Sequence, residues 1–193
     1  MGGPKGDKIQ IVAFSTNESD HNPNSLINTY LENTNHLLIK KTSVATAFTT
    51  MLPNTSKQIK IMICSVLNLS KEYTGITDVN CYLLYIDLEK EDSKEKFDAI
   101  MNYAKEYCDL GKKIYVFGMT YTEGKKYVER ETIENDLIEA QVIYEYNELN
   151  LNDKKNICDS FSNVFEYSLK IALPGDNKGD DKDDGQAGSC DIF

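Results

Sequence analysis

No glycine stands between Asp7 and Thr74. That absence matters most in the stretch Phe14–Asn24, read FSTNESDHNPN, which links the strand-like Lys8–Phe14 to the helix-like Ser25–Asn33. A strand, a short loop and a helix open many α/β nucleotide-binding domains, whose glycine-rich loop lets backbone N–H groups wrap phosphates and is followed by Lys and Ser or Thr. Without Gly or Lys the close backbone approach is lost, and Glu18 and Asp20 would meet an anionic ligand with the wrong charge. Basic residues are also in deficit. Lys and Arg number 21 against 31 Asp and Glu, a net charge of −10, which argues against a nucleic-acid surface and against overall attraction to anionic lipid. No apolar run approaches the ~18 residues of a membrane span, no apolar signal region opens the chain, and MGGPKG lacks the hydroxyl residue of a myristoylation signal. A cytosolic protein is the expectation.

Metal and disulfide chemistry have little to draw on. There are two histidines, His21 and His36, and no C-x-x-C pair. Cys64 and Cys81 fall in strand-like runs and Cys108 and Cys158 on apolar helix faces, so all four read as reduced core thiols. His21 lies near Glu18, Ser19 and Asp20, but residues this close in one loop seldom aim at a common reacting atom. They read as solvated loop residues, and no catalytic residue is assigned.

What is present is α/β patterning in a chain long enough for one domain with a tail: 193 residues, 40% hydrophobic and 27% charged. After the first strand and helix comes a polar connection. Ala45–Leu52 and Gln58–Cys64 then read as a β-hairpin. Val79–Asp87 is a nearly continuous apolar run, as a strand buried on both faces requires. Asp92 and Glu95 suggest a capping box for a helix with Phe97, Ile100, Met101, Ala104 and Cys108 on one face, stopping at Gly111. Lys113–Met119 is the next strand, Thr132–Ala140 a helix, Val142–Tyr146 a short strand and Asp153–Leu173 the last helix, ended by Pro174. The pattern predicts six strands and at least four helices, with a mostly parallel sheet covered on both faces.

Several words in this order resemble a Ras-superfamily small GTPase of the Rab family. Ser25-Leu26-Ile27-Asn28 is similar to the opening of its first helix, and Ser43–Phe48 to the T-I-G-x-x-F entry to its second strand. Leu84-Tyr85-Ile86-Asp87 resembles its L-V-Y-D strand, and Ile171-Ala172-Leu173-Pro174 the end of the last helix in the early-endosome branch. The resemblance spans residues 8–174 and implies a small-GTPase (P-loop G-domain) fold: six strands, one antiparallel through the hairpin, and helices on both faces. Residues 1–7 would be a flexible N-terminus and 175–193 an acidic, disordered tail.

Against that family the nucleotide motifs are eroded. Asn22-Pro23-Asn24 stands at Gly-Lys-Ser/Thr, Ser65-Val66-Leu67-Asn68-Leu69 at D-T-A-G-Q, Met119-Thr120-Tyr121-Thr122 at N-K-x-D and Asn147-Glu148-Leu149 at S-A-K. Charge-assisted hydrogen bonds are worth about 1.5–3 kcal/mol each. Losing several costs roughly 5–8 kcal/mol, which turns nanomolar binding into tens of micromolar or weaker. The resemblance therefore implies a pseudoGTPase of vesicle traffic that works by protein–protein interaction and needs no cofactor. The alternative is an atypical GTPase binding GTP or GDP with Mg through Ser15, Asn24, Ser25 and Ser43; a second is a soluble G-fold subunit of a larger complex. Effector or trafficking proteins would dock on Ser43, Val44, Phe48, Leu67, Leu69 and Tyr73. The ending Cys190-Asp191-Ile192-Phe193 fits C-a-a-X prenylation at Cys190. That implies reversible attachment to the cytosolic face of a membrane, an endosomal one being a candidate, with no transmembrane segment and no nucleic-acid partner.

Overall fold

The computed structural model describes residues 8–17, 23–34, 36–42, 44–51, 58–66, 69, 78–121 and 125–172. Its elements are β1 (Lys8–Ser15), α1 (Pro23–Glu32), β2 (Leu37–Lys41), β3 (Ala45–Met51), β4 (Gln58–Ser65), β5 (Cys81–Asp87), α2 (Ser93–Tyr107), β6 (Ile114–Thr120), α3 (Arg130–Glu139), β7 (Tyr144–Asn150) and α4 (Lys154–Ala172). They build one sheet in the order β2-β3-β4-β1-β5-β6-β7. β1 lies parallel between β4 and β5, and β6 and β7 continue the parallel half. Among the described strands only the β2–β3 and β3–β4 pairs are antiparallel.

Alternation along the strands builds two cores. Successive strand residues point to opposite faces. In β1, Ile9, Ile11 and Ala13 join a cluster with Leu26 and Ile27 of α1 and Phe161 and Val164 of α4, while Val12 and Phe14 join one with Phe97 and Ile100 of α2 and Ile133 of α3. All seven residues of β5 and of β6 are buried, the pattern of a strand covered twice. Gly118 of β6 is needed for packing: a Cβ there would sit 2.1 Å from Tyr146 Oη and 3.1 Å from Leu88 Cδ1. Under α4, the Cys81 thiol meets Ser168 Oγ at 3.2 Å, and burial pushes it up to about 12. Cys64, Cys81, Cys108 and Cys158 are all free thiols.

The sheet has seven strands, one more than the six predicted. The addition is β2, formed by Leu37–Lys41 within what the sequence suggests is a polar connection. All five of its residues are exposed, so no alternation of buried and exposed positions announces it. Pairing with β3 makes it a strand, with a register shift between Leu38 and Lys40. His36 anchors its start: Nε2 lies 2.8 Å from Tyr30 Oη, and the imidazole stacks on Tyr30 at 4.8 Å. The capping box at α2 does not form. Asp92 has helical backbone angles and makes no side-chain cap; its carboxylate meets Lys96 at 2.9 Å instead. Nor does α2 run to Gly111. It stops at Tyr107, and the Gly111 N–H donates to Asp109 Oδ1 at 3.0 Å. Among the described residues no helix is long and apolar enough to cross a membrane.

Candidate functional site

Open α/β sheets bind ligands outside the carboxyl ends of their strands, where the connections diverge to opposite faces. Here that place lies between β1 and β5. The chain leaving β1 runs to α1, which packs against α4 and β1 on one face, while the chain leaving β5 runs to α2 on the other. The residues at these strand ends are polar, in contrast to the strands themselves.

Asn17 is the hub. Buried to 2% exposure, it donates from Nδ2 to Asp87 Oδ2 at 2.9 Å and to Tyr121 Oη at 3.1 Å, and its Oδ1 accepts from Lys90 Nζ at 2.9 Å. Asp87, fully buried at the end of β5, also accepts from Tyr121 Oη at 3.0 Å and from the Glu89 N–H at 3.1 Å through Oδ1. Lys90 Nζ stands 4.0 Å from its Oδ2. Burial first, and the Asp87 charge second, hold the Tyr121 phenol above its ordinary range, so it stays a proton donor to that carboxylate. Beneath them Thr16 Oγ1 accepts the Asp87 N–H at 3.0 Å and contacts Ser93 Oγ at 3.2 Å, tying β1, β5 and α2 together. At the rim, Glu89 Oε1 accepts the Tyr121 N–H at 3.1 Å and Lys126 pairs with Glu148.

Among the described residues the cluster's donors and acceptors thus meet one another. A buried carboxylate is tolerated only when paired and hydrogen-bonded, and Asp87 meets that condition with this chain's own side chains. Asp87 and Glu89 bring two carboxylates to the site, and Lys90 brings one ammonium beside them. No group of three or more His, Cys, Asp or Glu among the described residues is placed to hold a metal ion.

The predicted nucleotide contacts are only partly visible. Ser15 closes β1, and its Oγ donates to the Asn17 carbonyl at 2.9 Å and accepts the Asn17 N–H at 3.0 Å, which fixes the hub residue. Asn24 and Ser25 lie in the first turn of α1, but their side chains, with Ser43, His21 and Cys190, fall outside the described residues. Of the predicted partner face, Val44 is 44% exposed and Leu69 half-buried, while Leu67 and Tyr73 are outside the described residues. Phe48 is a correction. At 0% exposure it packs on Phe165 and Tyr30, because β3 turns that face toward α1 and α4, so it supports the surface from below. Sequence reasoning did not single out Asn17, Lys90 and Tyr121 as members of this cluster. Their signal was location, each just beyond the end of β1, β5 or β6.

Fold and site together define an α/β protein with a mostly parallel sheet, wound to both faces, whose switch-point cluster is internally satisfied. No protein-family model matches the chain, and a comparison with curated proteins finds no significant match.

Proposed function

We propose that the chain is a Rab-like, small-GTPase-fold protein of membrane traffic that acts by binding other proteins, with nucleotide-driven switching lost or much weakened. The observation that carries this reading is the Asn17 amide bonded to Asp87 and Tyr121 where a G domain would begin its phosphate loop. A nucleotide entering there would have to break these bonds and face two carboxylates. The strand order supports a G-domain core, with β1 flanked by the antiparallel-linked β4 and by β5. In this reading β2 is an addition outside that core. Effectors dock around Val44 and Leu69, and a prenyl group on Cys190 supplies a reversible membrane anchor.

The test is nucleotide itself. Purified full-length protein is denatured and the supernatant examined for guanine nucleotide, then fresh protein is melted with GTP and Mg at about 1 mM. A nanomolar site at that concentration adds about 8 kcal/mol, whereas a millimolar one adds only about 0.4 kcal/mol. Absence of released nucleotide with a melting temperature moved by less than about 8 °C, the most that a site of tens of micromolar gives at this concentration, is the expected result. Stoichiometric nucleotide, or a rise of many degrees, would replace this reading with the atypical GTPase working through Ser15, Asn24, Ser25 and Ser43.

A further inference from the structure

Charge is segregated along this chain. Residues 33–71 hold five lysines and neither Asp nor Glu, so all 31 acidic residues lie outside them. That stretch contains β2, β3 and β4, one complete side of the sheet. Lys40, Lys41 and Lys60 are exposed, and Lys8 stands in register beside Lys60. None of the four is in an ion pair among the described residues, and Lys41 Nζ donates to Asn28 Oδ1 at 2.7 Å. Exposed lysines gathered on β2 and β4 of a protein of net charge −10 are a local feature that composition conceals.

The basic side ends in an open edge. β2 is the outermost strand, and no described residue pairs with its outer side. Its apolar residues are also uncovered: Leu37 is 66%, Leu38 48% and Ile39 49% exposed. Edge strands usually carry protections against unwanted pairing, among them short length, lysines and bulges. This one has all three, including the register shift around Ile39. Lysine is a selective protection, however: it repels a basic strand and attracts one bearing carboxylates.

We infer that the outer edge of β2 takes an extended acidic peptide segment of a partner protein, added as a further strand with apolar side chains beside Leu37 and Leu38 and carboxylates beside Lys40 and Lys41, one of each on either face of the sheet. Two other occupants are disfavoured. A second copy of β2 would bring more lysines and no carboxylate, and like charges across a strand pair destabilise it. An anionic bilayer would attract the lysines but could not satisfy the strand's outer backbone groups, which a peptide strand does. The inference rests on the charge map and the sheet edge, and is independent of whether nucleotide binds at the switch point.

The test uses the full chain and a short fluorescent peptide built of a Val-Val pair and a Glu-Glu pair, so that each face carries one of each, with a Val-Val–Lys-Lys peptide as the reverse charge. The acidic peptide is expected to bind with salt-sensitive affinity, to slow amide exchange at residues 37–41, and to lose about tenfold or more with Lys40→Glu plus Lys41→Glu, equivalent to about 1.4 kcal/mol. Lys105→Glu on α2, also an exposed lysine, should bind as wild type, and circular dichroism confirms that each variant is folded. Equal binding of both peptides, or of neither, overturns the inference. So does phosphatidylserine vesicle binding that depends on Lys40 and Lys41 without peptide binding, which would make the surface a membrane contact. Self-association abolished by the same substitutions would make it an interface between copies.

Discussion

Asp87→Asn is the perturbation that best separates an internally completed cluster from a ligand site awaiting its ligand. The carboxylate accepts three hydrogen bonds: from Asn17 Nδ2 at 2.9 Å, Tyr121 Oη at 3.0 Å and the Glu89 N–H at 3.1 Å. An asparagine side chain there must turn its NH2 either toward the first two donors or toward the third. Either way a donor faces a donor, and the bonds that survive lose their charge. Bonds to charged groups contribute about 1.5–3 kcal/mol and neutral ones about 0.5–1.5 kcal/mol. One bond lost and the others weakened come to about 3–5 kcal/mol, reduced by about 1 kcal/mol or more because a buried charge no longer has to be desolvated. A net loss near 3 kcal/mol lowers the melting temperature by about 6–12 °C for a chain of this size. Urea unfolding followed by circular dichroism, without added ligand, measures it, with an unchanged m-value as the check on two-state behaviour. Asn17→Ala made in the wild-type and Asp87→Asn backgrounds closes a cycle, and its coupling should be about 1 kcal/mol or more. A loss under about 0.5 kcal/mol would mean these bonds do not hold the folded state together, and the internally completed site would have to be abandoned.

Two further outcomes follow from packing and titration. Gly118→Ala should cost about 1–3 kcal/mol, since its methyl meets Tyr146 Oη at 2.1 Å. Tyr146→Phe alone should be neutral or stabilising, because that buried hydroxyl has no hydrogen-bond partner among the described residues, and it should relieve part of the Gly118→Ala cost; additive effects would refute the contact. Burial lowers the His36 pKa from its ordinary 6.5, so the unfolded chain takes up the proton more readily than the folded one. This contribution is therefore complete above pH 6.5 and declines as pH falls toward the lowered folded value, with a slope of at most about 1.4 kcal/mol per pH unit. His36→Gln should flatten urea-derived stability across that window, and an unchanged slope would assign the titration elsewhere.

The buried half of the fold was legible because its residues have only one way to be placed. Apolar runs such as Cys81–Asp87 and Ile114–Thr120 can be accommodated only by strands covered on both faces, and the spacing of Phe161, Val164 and Phe165 only by a helix lying on them. Legibility failed where the environment, not the side chain, decides. Leu37–Lys41 is a strand because β3 offers a partner, and Asp92 prefers Lys96 to its own helix end. The candidate site divides along the same line. That the loop after β1 has neither Gly nor Lys could be read directly. That Asn17, Asp87 and Tyr121 bond to one another could not, because they are brought together from positions up to 104 residues apart.

The position of β1 has a consequence for how the chain is made. Among the described strands it is the first to be synthesised and one of the most central, yet its neighbours come much later: Lys8 registers with Lys60, and Ile11 with Cys81. At about 5–20 residues per second the ribosome needs several seconds to supply them. Until β4 emerges an apolar strand, IQIVAF, has neither edge paired within its own sheet, and until β5 emerges it has at most one. Pairings of such long sequence separation are also slow to close once both strands exist. Nascent chains stalled before Cys81 should therefore engage chaperones through this segment and release them once β5 has emerged.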